Sequence, residues 1–306
     1  MARHKISLLI LTAIALMATA CQQKPLTFVV LSDTHLNGEE RRVEVLDSMA
    51  LDINTLAATG NQTSKEGQPV VAPIKGVIHC GDVTDNATRE QWDQYKQVFG
   101  LEGNRGTLQL PVMETFGNHD GDTSGTVRTG IRERNEKRQG LSRVSANGLH
   151  YSWNWQGHHF VVLGSYPGDG WDPNCEWCHY FEESFKYPQN SLSFLKRDLE
   201  AEAKGKNRPV FLFFHYGWDD FSKLWWTQAE RDKFHEAIQD HPVKAIFHGH
   251  NHVPNHYKWR GIDVFAVGSP QTNKGTGNYL VVQVDEENFT VTNRKYNHWA
   301  DTLYHK

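Results

Sequence analysis

From residue 26 onward, short apolar runs alternate along the chain with amphipathic segments. The run 26–31 (LTFVVL) is continuous, which is typical of a strand buried on both faces. Residues 41–58 place apolar side chains three and four positions apart, and this spacing predicts a helix with one buried face. Strand–helix–strand alternation predicts parallel pairing with right-handed crossovers. The pattern continues with strands over 70–79 and 110–116 and, between them, a helix through Trp92, Tyr95 and Phe99.

The second half of the chain continues this mixture of strands and helices. Residues 150–155 and 159–165 alternate like a hairpin, with Gln156 and Gly157 as its turn. No linker divides the chain, so we expect one α/β domain over residues 26–306. The remaining predicted elements are helices over 191–203 and 227–239, strands over 210–214, 243–247, 264–267, 279–284 and 289–291, and loops over 121–148 and 166–188.

The polar residues Asp85 and Asn86 precede the helix through Trp92, and we interpret them as its N-terminal cap. The segment 121–148 is rich in Gly, Ser, Thr and Arg, and long loops of this kind are usually functional. We therefore expect the segment 121–148 to be a loop near a site.

The N-terminal residues 1–20 have the pattern of an export signal rather than of a folded element. Arg3 and Lys5 precede an apolar run over 6–20, which is shorter than the ~20 residues that span a bilayer. Small residues then precede Cys21, and this arrangement resembles the lipobox of bacterial lipoproteins. The resemblance implies a lipid on Cys21 and an exported protein held at the cell envelope, at the outer membrane because Gln22 follows. An ordinary secreted protein, with Cys21 incidental, is the alternative.

The net charge limits the kinds of partner that the protein can bind, and the cysteines indicate the redox state of its compartment. The formal net charge of −4 argues against a general nucleic-acid or anionic-membrane binder, which needs a basic face. Cys175 and Cys178 form an isolated C-x-x-C, whereas a zinc site usually needs two such pairs. A disulfide within this loop fits an oxidising compartment, and two free thiols are the alternative. Cys80 lies in an apolar run, which indicates a buried thiol.

Metal-binding residue types follow five of the apolar runs. Because the carboxyl ends of strands in open α/β sheets meet at one edge, five such ends can converge on one site. Mixed imidazole, carboxylate and amide ligands suit zinc, manganese, iron or cobalt better than calcium. The five clusters are Asp33-Thr34-His35, Gly81-Asp82-Val83-Thr84-Asp85-Asn86, Gly117-Asn118-His119-Asp120, His215 and Gly249-His250-Asn251-His252.

The order D-x-H, G-D-x-x-D-N, G-N-H-D, H, G-H-x-H resembles the calcineurin-like metallophosphoesterase family over about residues 26–295. The resemblance implies a four-layer α/β/β/α sandwich of two mixed sheets flanked by helices. It also implies two metal ions (manganese, iron or zinc) bridged by Asp82, and a metal-activated water that attacks phosphorus. One ion would be held by Asp33, His35, Asp82 and His252, and the other by Asp82, Asn118, His215 and His250.

The same resemblance assigns roles to two residues that are not ligands. His119 would donate a hydrogen bond or a proton toward the phosphoryl or leaving-group oxygen. Asp85 would hold the second imidazole nitrogen of His119 and fix its tautomer. Purple acid phosphatases carry a metal-binding tyrosine at the position of Asp85, so no purple colour is expected here.

Two groups of residues are candidates for the substrate pocket. Arginines in the segment 121–148, Arg128 and Arg132 among them, suit phosphate oxygens, although Glu133 and Glu136 interleave with them as on an ordinary solvated helix face. Tyr216 directly follows His215. With Trp218, Trp225 and Trp226 it forms either an aromatic wall or part of the core.

These expectations combine into a metal-dependent phosphoester hydrolase that acts outside the cytoplasm on a small-molecule phosphoester. The arginine-rich segment favours a phosphomonoester substrate. A phosphodiesterase of the cyclic-nucleotide or glycerophosphodiester type on the same site is the first alternative. A lipoprotein that binds metal or phosphate without turnover is the alternative from another class.

Overall fold

A computed structural model describes residues 25–59, 73–180, 187–206, 208–270, 279–286 and 288–306. The signal segment 1–20 and Cys21 lie outside the described residues, so their roles stay predictions. Within the described part of the chain, no helix is both long and apolar enough to span a bilayer.

The first sheet joins the N-terminal strands to the C-terminal ones. Its strand order is β13-β12-β11-β1-β2-β3, with β1 parallel to β2 and antiparallel to β11. The parallel part follows from the strand–helix alternation of the sequence, and the antiparallel part from the short C-terminal connections. These strands are β1 (Leu26–Leu31), β2 (Ile74–His79), β3 (Val112–Glu114), β11 (Tyr279–Val284), β12 (Phe289–Lys295) and β13 (His298–His305).

The second sheet has the order β4-β5-β6-β7-β8-β10-β9. Its centre is parallel, from β6 through β7 and β8 to β10, and its two margins are antiparallel. The strands are β4 (Leu141–Val144), β5 (Tyr151–Trp155), β6 (His158–Val162), β7 (Val210–Phe213), β8 (Val243–His248), β9 (Asn255–Trp259) and β10 (Ile262–Ala266).

Helices cover the outer face of each sheet. Helices α1, α2 and α3 share an apolar cluster with the first sheet, and α4 and α5 share another with the second. The helices are α1 (Glu40–Thr59), α2 (Arg89–Val98), α3 (Thr126–Asn135), α4 (Ser191–Glu202) and α5 (Gln228–Ile238), with 3-10 turns at Cys178–Tyr180 and Ser222–Trp225.

Alternation along β1 explains why the sheets stack. Val29 and Leu31 face the helices, whereas Phe28 faces the second sheet, where its ring centroid lies 5.3 Å from Phe160 and 5.5 Å from Phe211. A strand that is buried on both faces needs apolar residues at nearly every position, as β1 has at all positions except Thr27. The predicted four-layer α/β/β/α sandwich of two mixed sheets is confirmed.

Several local predictions were wrong. The segment 121–148 is not a loop throughout, since it contains α3 and β4. Position 130 lies inside α3, and it is glycine because a Cβ there would overlap the ring of Trp92. A glycine that suggests a loop in the sequence is therefore required here by packing. Thr88, whose side chain accepts from the N–H of Gln91, caps α2 in place of Asp85 and Asn86. Strands β9 and β13 had not been predicted.

Candidate metal centre

The predicted ligands come from the carboxyl ends of strands in both sheets. Asp33 and His35 follow β1, Asp82 follows β2, and His215 follows β7. Backbone hydrogen bonds link these loops, because the N–H of Asp33 donates to Gly81 O and that of His35 to Asp82 O, at 3.0 and 3.1 Å. The remaining ligand positions, Asn118 after β3 and His250 and His252 after β8, lie at the same edge.

One group of ligand atoms is formed by Asp33, His35 and His252. His252 Nε2 lies 3.3 Å from Asp33 Oδ1, and His35 Nε2 lies 3.0 Å from His252 Nε2. Each of the three residues offers one atom within 4.8 Å of the others. These atoms are close enough to share one cation.

A second group is formed by Asp82, His215 and His250, again with donor atoms within 4.8 Å. His215 Nε2 lies 3.1 Å from Asp82 Oδ2, and the same carboxylate oxygen lies 3.7 Å from His35 Nε2. Asp82 therefore lies between the two groups. This is the position that a bridging ligand requires.

Two buried ligand atoms support the presence of cations. His250 Nε2 and Asn118 Oδ1 have no hydrogen-bond partner among the described residues, although both side chains are buried. Buried polar atoms are normally paired, so such atoms indicate an ion or another partner. Two carboxylates, one amide and four imidazoles fit two transition-metal ions, as the sequence indicated.

The backbone at the ligands is unusual. A positive φ is costly for a residue other than glycine and persists only where the surroundings enforce it. Five of the seven predicted ligands nevertheless have a left-handed backbone: Asp33 (φ 55°), His35 (41°), Asp82 (52°), His250 (76°) and His252 (65°). Strain of this kind concentrates at functional sites.

Glycines next to the ligands leave room for them. A Cβ at Gly117 would overlap Asp82 Oδ1, and a Cβ at Gly249 would overlap Ser32 Oγ and approach Asp33 Oδ2. The glycines of the G-N-H-D and G-H-x-H motifs are therefore steric requirements of the carboxylate positions.

The electrostatics are those of a site for cations. Burial would lower the pKa of His35 and His215, but the carboxylates of Asp33, Asp82 and Asp85 raise it to about 10 for His35, and mainly Asp82 raises it to about 9 for His215. Burial would likewise raise the pKa of Asp82, yet the neighbouring histidines hold it well below its usual range. The same negative field that draws protons onto imidazoles stabilises metal ions.

Comparison with known proteins agrees with this geometry. A sequence model of the calcineurin-like phosphoesterases matches residues 26–254, which is most of the chain. The chain belongs to the calcineurin-like phosphoesterase family. Members of this family use a dinuclear metal site, so this phosphoesterase is a metal-dependent phosphoester hydrolase. No curated protein sequence matches the chain significantly.

Solved structures share the fold of this phosphoesterase. A dimetal phosphatase from Danio rerio superposes with a TM-score of 0.63 at 12% identity, over 92% of this chain and 99% of that one. A purple acid phosphatase from yellow lupin (Lupinus luteus) gives 0.58 at 14% identity, over 92% of this chain and 54% of the lupin chain. GAP50, described as the anchor in the inner membrane complex of Plasmodium, gives 0.53 at 12% identity, over 92% and 88% of the two chains.

His119 lies beside both metal groups of the phosphoesterase. Its ring centroid is 4.8 Å from that of His35, and its backbone N–H donates to Asp82 Oδ1 at 2.9 Å. Its Nδ1 is 2.9 Å from the main-chain carbonyl of Asp85 but 4.0 Å from the carboxylate, which lies nearer His35 Nδ1 at 3.3 Å. The structure therefore holds the His119 tautomer through the carbonyl of Asp85 rather than through its side chain. This arrangement makes Nδ1 the donor in that hydrogen bond.

Sequence reasoning gave no role to Asp120, the last residue of G-N-H-D. Its buried carboxylate accepts hydrogen bonds from the N–H groups of Val83, Thr84 and Gly117 at 2.9–3.1 Å. Burial, and then the charge of Asp82, raise the pKa of Asp120. Asp120 thus ties the loop after β2 to the loop after β3. The position of Asp120 in the G-N-H-D motif, next to predicted ligands, was the sequence signal for a role in positioning them.

A second connection, also missed from sequence, joins the loops after β1 and β2. His79 Nδ1 accepts from the N–H of Gly81 at 3.2 Å, so Nε2 carries the proton and donates to Thr34 Oγ1 at 3.0 Å. The Thr34 hydroxyl in turn donates to Val83 O at 2.8 Å. Burial lowers the pKa of His79 to about 3, which keeps the ring neutral in this chain of hydrogen bonds.

The arginines of α3 do not form a solvated helix face. Arg128 is fully buried, and its guanidinium lies 4.1 Å from the ring centroid of Phe116. Arg134 and Arg138 are also buried, because both bind the carboxylate of Glu114. Arg132 Nε donates to Asn147 O at 2.8 Å. The solvated-face alternative is therefore wrong for Arg128, Arg134 and Arg138, and none of these three reaches the surface.

The predicted aromatic wall divides into two parts. Tyr216 is fully buried with its ring centroid 4.6 Å from that of His250, and the buried Trp225 ring is 4.7 Å away. All four residues belong to the cluster between the second sheet and its helices, and Trp218 and Trp226 pack there against Phe234. The ring that reaches solvent beside His250 is Phe221, which the sequence did not single out.

The C-x-x-C loop lies next to this aromatic group. Cys175 and Cys178 form a disulfide with a Cα–Cα distance of 5.3 Å, within the usual range for such bonds. The N–H of Trp177 donates to Leu224 O at 3.1 Å, which joins the loop to the 3-10 turn that follows Phe221. Cys80 is a free, buried thiol, as its apolar run indicated.

Proposed function

We propose that this phosphoesterase is an exported phosphomonoesterase that removes a phosphoryl group from small molecules outside the cytoplasm. The observation that carries the catalytic part is the placement of His119 beside two adjoining ligand groups, with Asp82 between them. When bound, the two metal ions supply Lewis-acid activation of water and neutralise charge on the phosphoryl group. The chain itself binds the ions, orients the phosphoryl group and offers a proton from His119 Nε2 to the leaving oxygen.

The exported location is supported by the basic N-terminal residues, the apolar run and Cys21, and by the disulfide of the C-x-x-C loop. Lipidation of Cys21 at the outer membrane belongs to the same proposal. Growth of cells with a radiolabelled fatty acid tests it. Label on the wild type and not on Cys21→Ala supports the anchor, whereas label on neither contradicts it.

The monoester preference rests on the mouth of the site. His119 is partly exposed there, with a side-chain exposure of 31%, and its Nε2–H suits an oxygen of a terminal phosphoryl group. A phosphodiesterase is the second candidate. It is favoured by the burial of Arg128, because a diester carries one negative charge and needs less positive charge around it than a dianionic monoester.

Parallel turnover of p-nitrophenyl phosphate and bis-p-nitrophenyl phosphate tests the proposal. The purified protein is assayed after chelation and again after Mn²⁺ or Zn²⁺ is restored, and Asp82→Asn is the matched inactive variant. Metal-dependent release that is faster with the monoester supports a phosphomonoesterase. Faster turnover of the diester establishes the second candidate, a phosphodiesterase. Turnover of neither ester by a protein that retains two metals would contradict catalysis and favour a binding lipoprotein.

A further inference from the structure

Phe221 places a large apolar ring in solvent at the edge of the metal centre. Its ring is stacked on that of the ligand His250, with a centroid distance of 4.8 Å and an interplanar angle of 27°. The side chain is nevertheless 41% exposed. Tyr216 and Trp225 already pack against His250 from the buried side, so Phe221 is not needed to fill the core.

The position of Phe221 is fixed by its backbone. Asp219 Oδ1 accepts from the N–H groups of Phe221 and Ser222 at 3.1 Å each, and the N–H of Leu224 donates to Phe221 O at 3.2 Å. The ring therefore does not depend on burial to stay in place. A ring held in this way binds a ligand at low entropic cost.

The aromatic surface extends outward from Phe221. Trp177 lies 6.2 Å from Phe221 between ring centroids, and Tyr180 is stacked on Trp177 at 4.6 Å and 26°. Tyr180 is 58% exposed. The Cys175–Cys178 disulfide closes the loop that carries both outer rings. We call Phe221, Trp177 and Tyr180 the aromatic shelf.

The charge at the shelf is balanced. Beside Phe221, Lys223 and Asp220 form an exposed pair at 2.5 Å, so their opposite charges leave little net charge next to this ring. An uncharged planar group is the chemistry that this surface recognises, since aromatic rings prefer stacked or edge contacts with other rings.

We propose that the aromatic shelf binds a planar aromatic ring in the leaving group of the substrate. The phosphoryl group belongs at the metal ions, so the alcohol part extends along the surface that begins at His250. The substrate class is then a phosphoester whose alcohol carries an aryl or heteroaromatic ring. This inference rests on the proposed hydrolytic function and adds the part of the substrate that the metals do not select.

Two esters that differ only in planarity test the shelf. The probes are 2-phenylethyl phosphate and 2-cyclohexylethyl phosphate, which have similar size, apolar surface and leaving-group chemistry. With Mn²⁺ present, kcat/KM from phosphate release is expected to favour the phenyl ester by about three- to tenfold, the range that a ring–ring contact supplies. The preference should lie mainly in KM.

Variants separate stacking from general apolar contact. Phe221→Leu keeps an apolar side chain and is expected to bring the two esters to equal kcat/KM. Tyr296→Leu is the matched control, because Tyr296 is another exposed aromatic residue, at 51%, in the turn between β12 and β13. It should retain the wild-type preference.

The outcomes distinguish this inference from the proposed function. Equal kcat/KM for the two esters in the wild type, or an unchanged preference in Phe221→Leu, would overturn the shelf while hydrolysis stands. If only diesters are turned over, the methyl diesters of the two alcohols replace the monoesters and the same criterion applies. Failure to hydrolyse any ester would overturn the proposed function and, with it, the inference.

Discussion

Two clusters of buried charge, one at the end of β3 and one at the metal centre, balance that charge in different ways. Glu114, the last residue of β3, binds Arg134 Nε at 2.9 Å and Arg138 Nη2 at 2.5 Å, so its charge is balanced by the chain. Asp33 and Asp82 are equally buried, and the side chains that can balance their charge are imidazoles. A buried charge needs a partner. The glutamate cluster (Glu114, Arg134 and Arg138) contains the positive charges that balance its carboxylate. In the metal centre, bound cations would balance the carboxylates.

The pKa directions agree with this contrast. Burial alone would raise the pKa of Glu114, but Arg134 and Arg138 lower it, and both arginines are permanently charged. The pKa of Asp33 is also lowered against the effect of burial, chiefly by His252. An imidazole, unlike a guanidinium, carries no permanent charge. We therefore expect changes in the glutamate cluster to affect stability, and changes in the metal centre to affect turnover.

The largest effect is expected from Asp82→Asn, which removes the carboxylate that lies between the two ligand groups. Loss of metal-supplied charge stabilisation should lower kcat by on the order of 10³-fold or more. Steady-state kinetics and elemental analysis of bound metal measure it. Asp232→Asn, at an exposed carboxylate, is the matched control and should stay active. A fully active Asp82→Asn would remove the distinction between the two clusters.

His119→Ala should lower kcat by about 10²–10⁴-fold, the usual contribution of a general acid. The bound metal should not change, since His119 is assigned to the substrate and not to an ion. His305→Ala, at an exposed histidine of β13, is the control. Loss of metal from His119→Ala would instead make His119 a ligand, a role that its proximity to His35 and Asp82 allows.

Glu114→Gln should act on the fold rather than on turnover. It leaves two buried arginines without their anion, so the free energy of unfolding should fall by about 3–5 kcal/mol. Denaturant titration measures this change. Glu200→Gln, in an exposed pair with Lys204, should shift it by no more than about 0.5 kcal/mol. The folded Glu114→Gln protein should retain its metal and its kcat. A loss of kcat without a loss of stability would contradict the comparison.

The smallest effect is expected from Thr34→Val, which alters the positioning of the metal centre without removing a ligand. The variant loses the hydrogen bonds of the Thr34 hydroxyl to Val83 O and His79, so metal affinity should fall about 10-fold. Titration with Mn²⁺ measures it. Thr34→Ser should restore most of the affinity. Equal affinities in the wild type, Thr34→Val and Thr34→Ser would show that this connection only stabilises the fold.

Much of the fold and the ligand set could be predicted because both follow from strand ends. Apolar runs such as Leu26–Leu31 are visible in sequence, and the ligands come directly after them. The predictions that failed concern residues whose surroundings depend on contacts between distant segments. The arginines of α3, and Arg138 beyond it, resemble a solvated face until the structure shows Glu114 of β3 bound to Arg134 and Arg138. Phe221 lies in an irregular turn without periodicity, so only the structure shows that it stacks on His250.

The left-handed backbone at five ligands has a consequence for the life of the protein in the cell. Each such residue costs about 1–3 kcal/mol, and together they approach the net stability of an ordinary domain, about 5–15 kcal/mol. Bound metal offsets this cost, because it binds the folded chain and not the unfolded one. A newly made molecule that finds no metal is therefore expected to be the form that proteases degrade. The abundance of the protein, and not only its activity, should then follow the supply of metal.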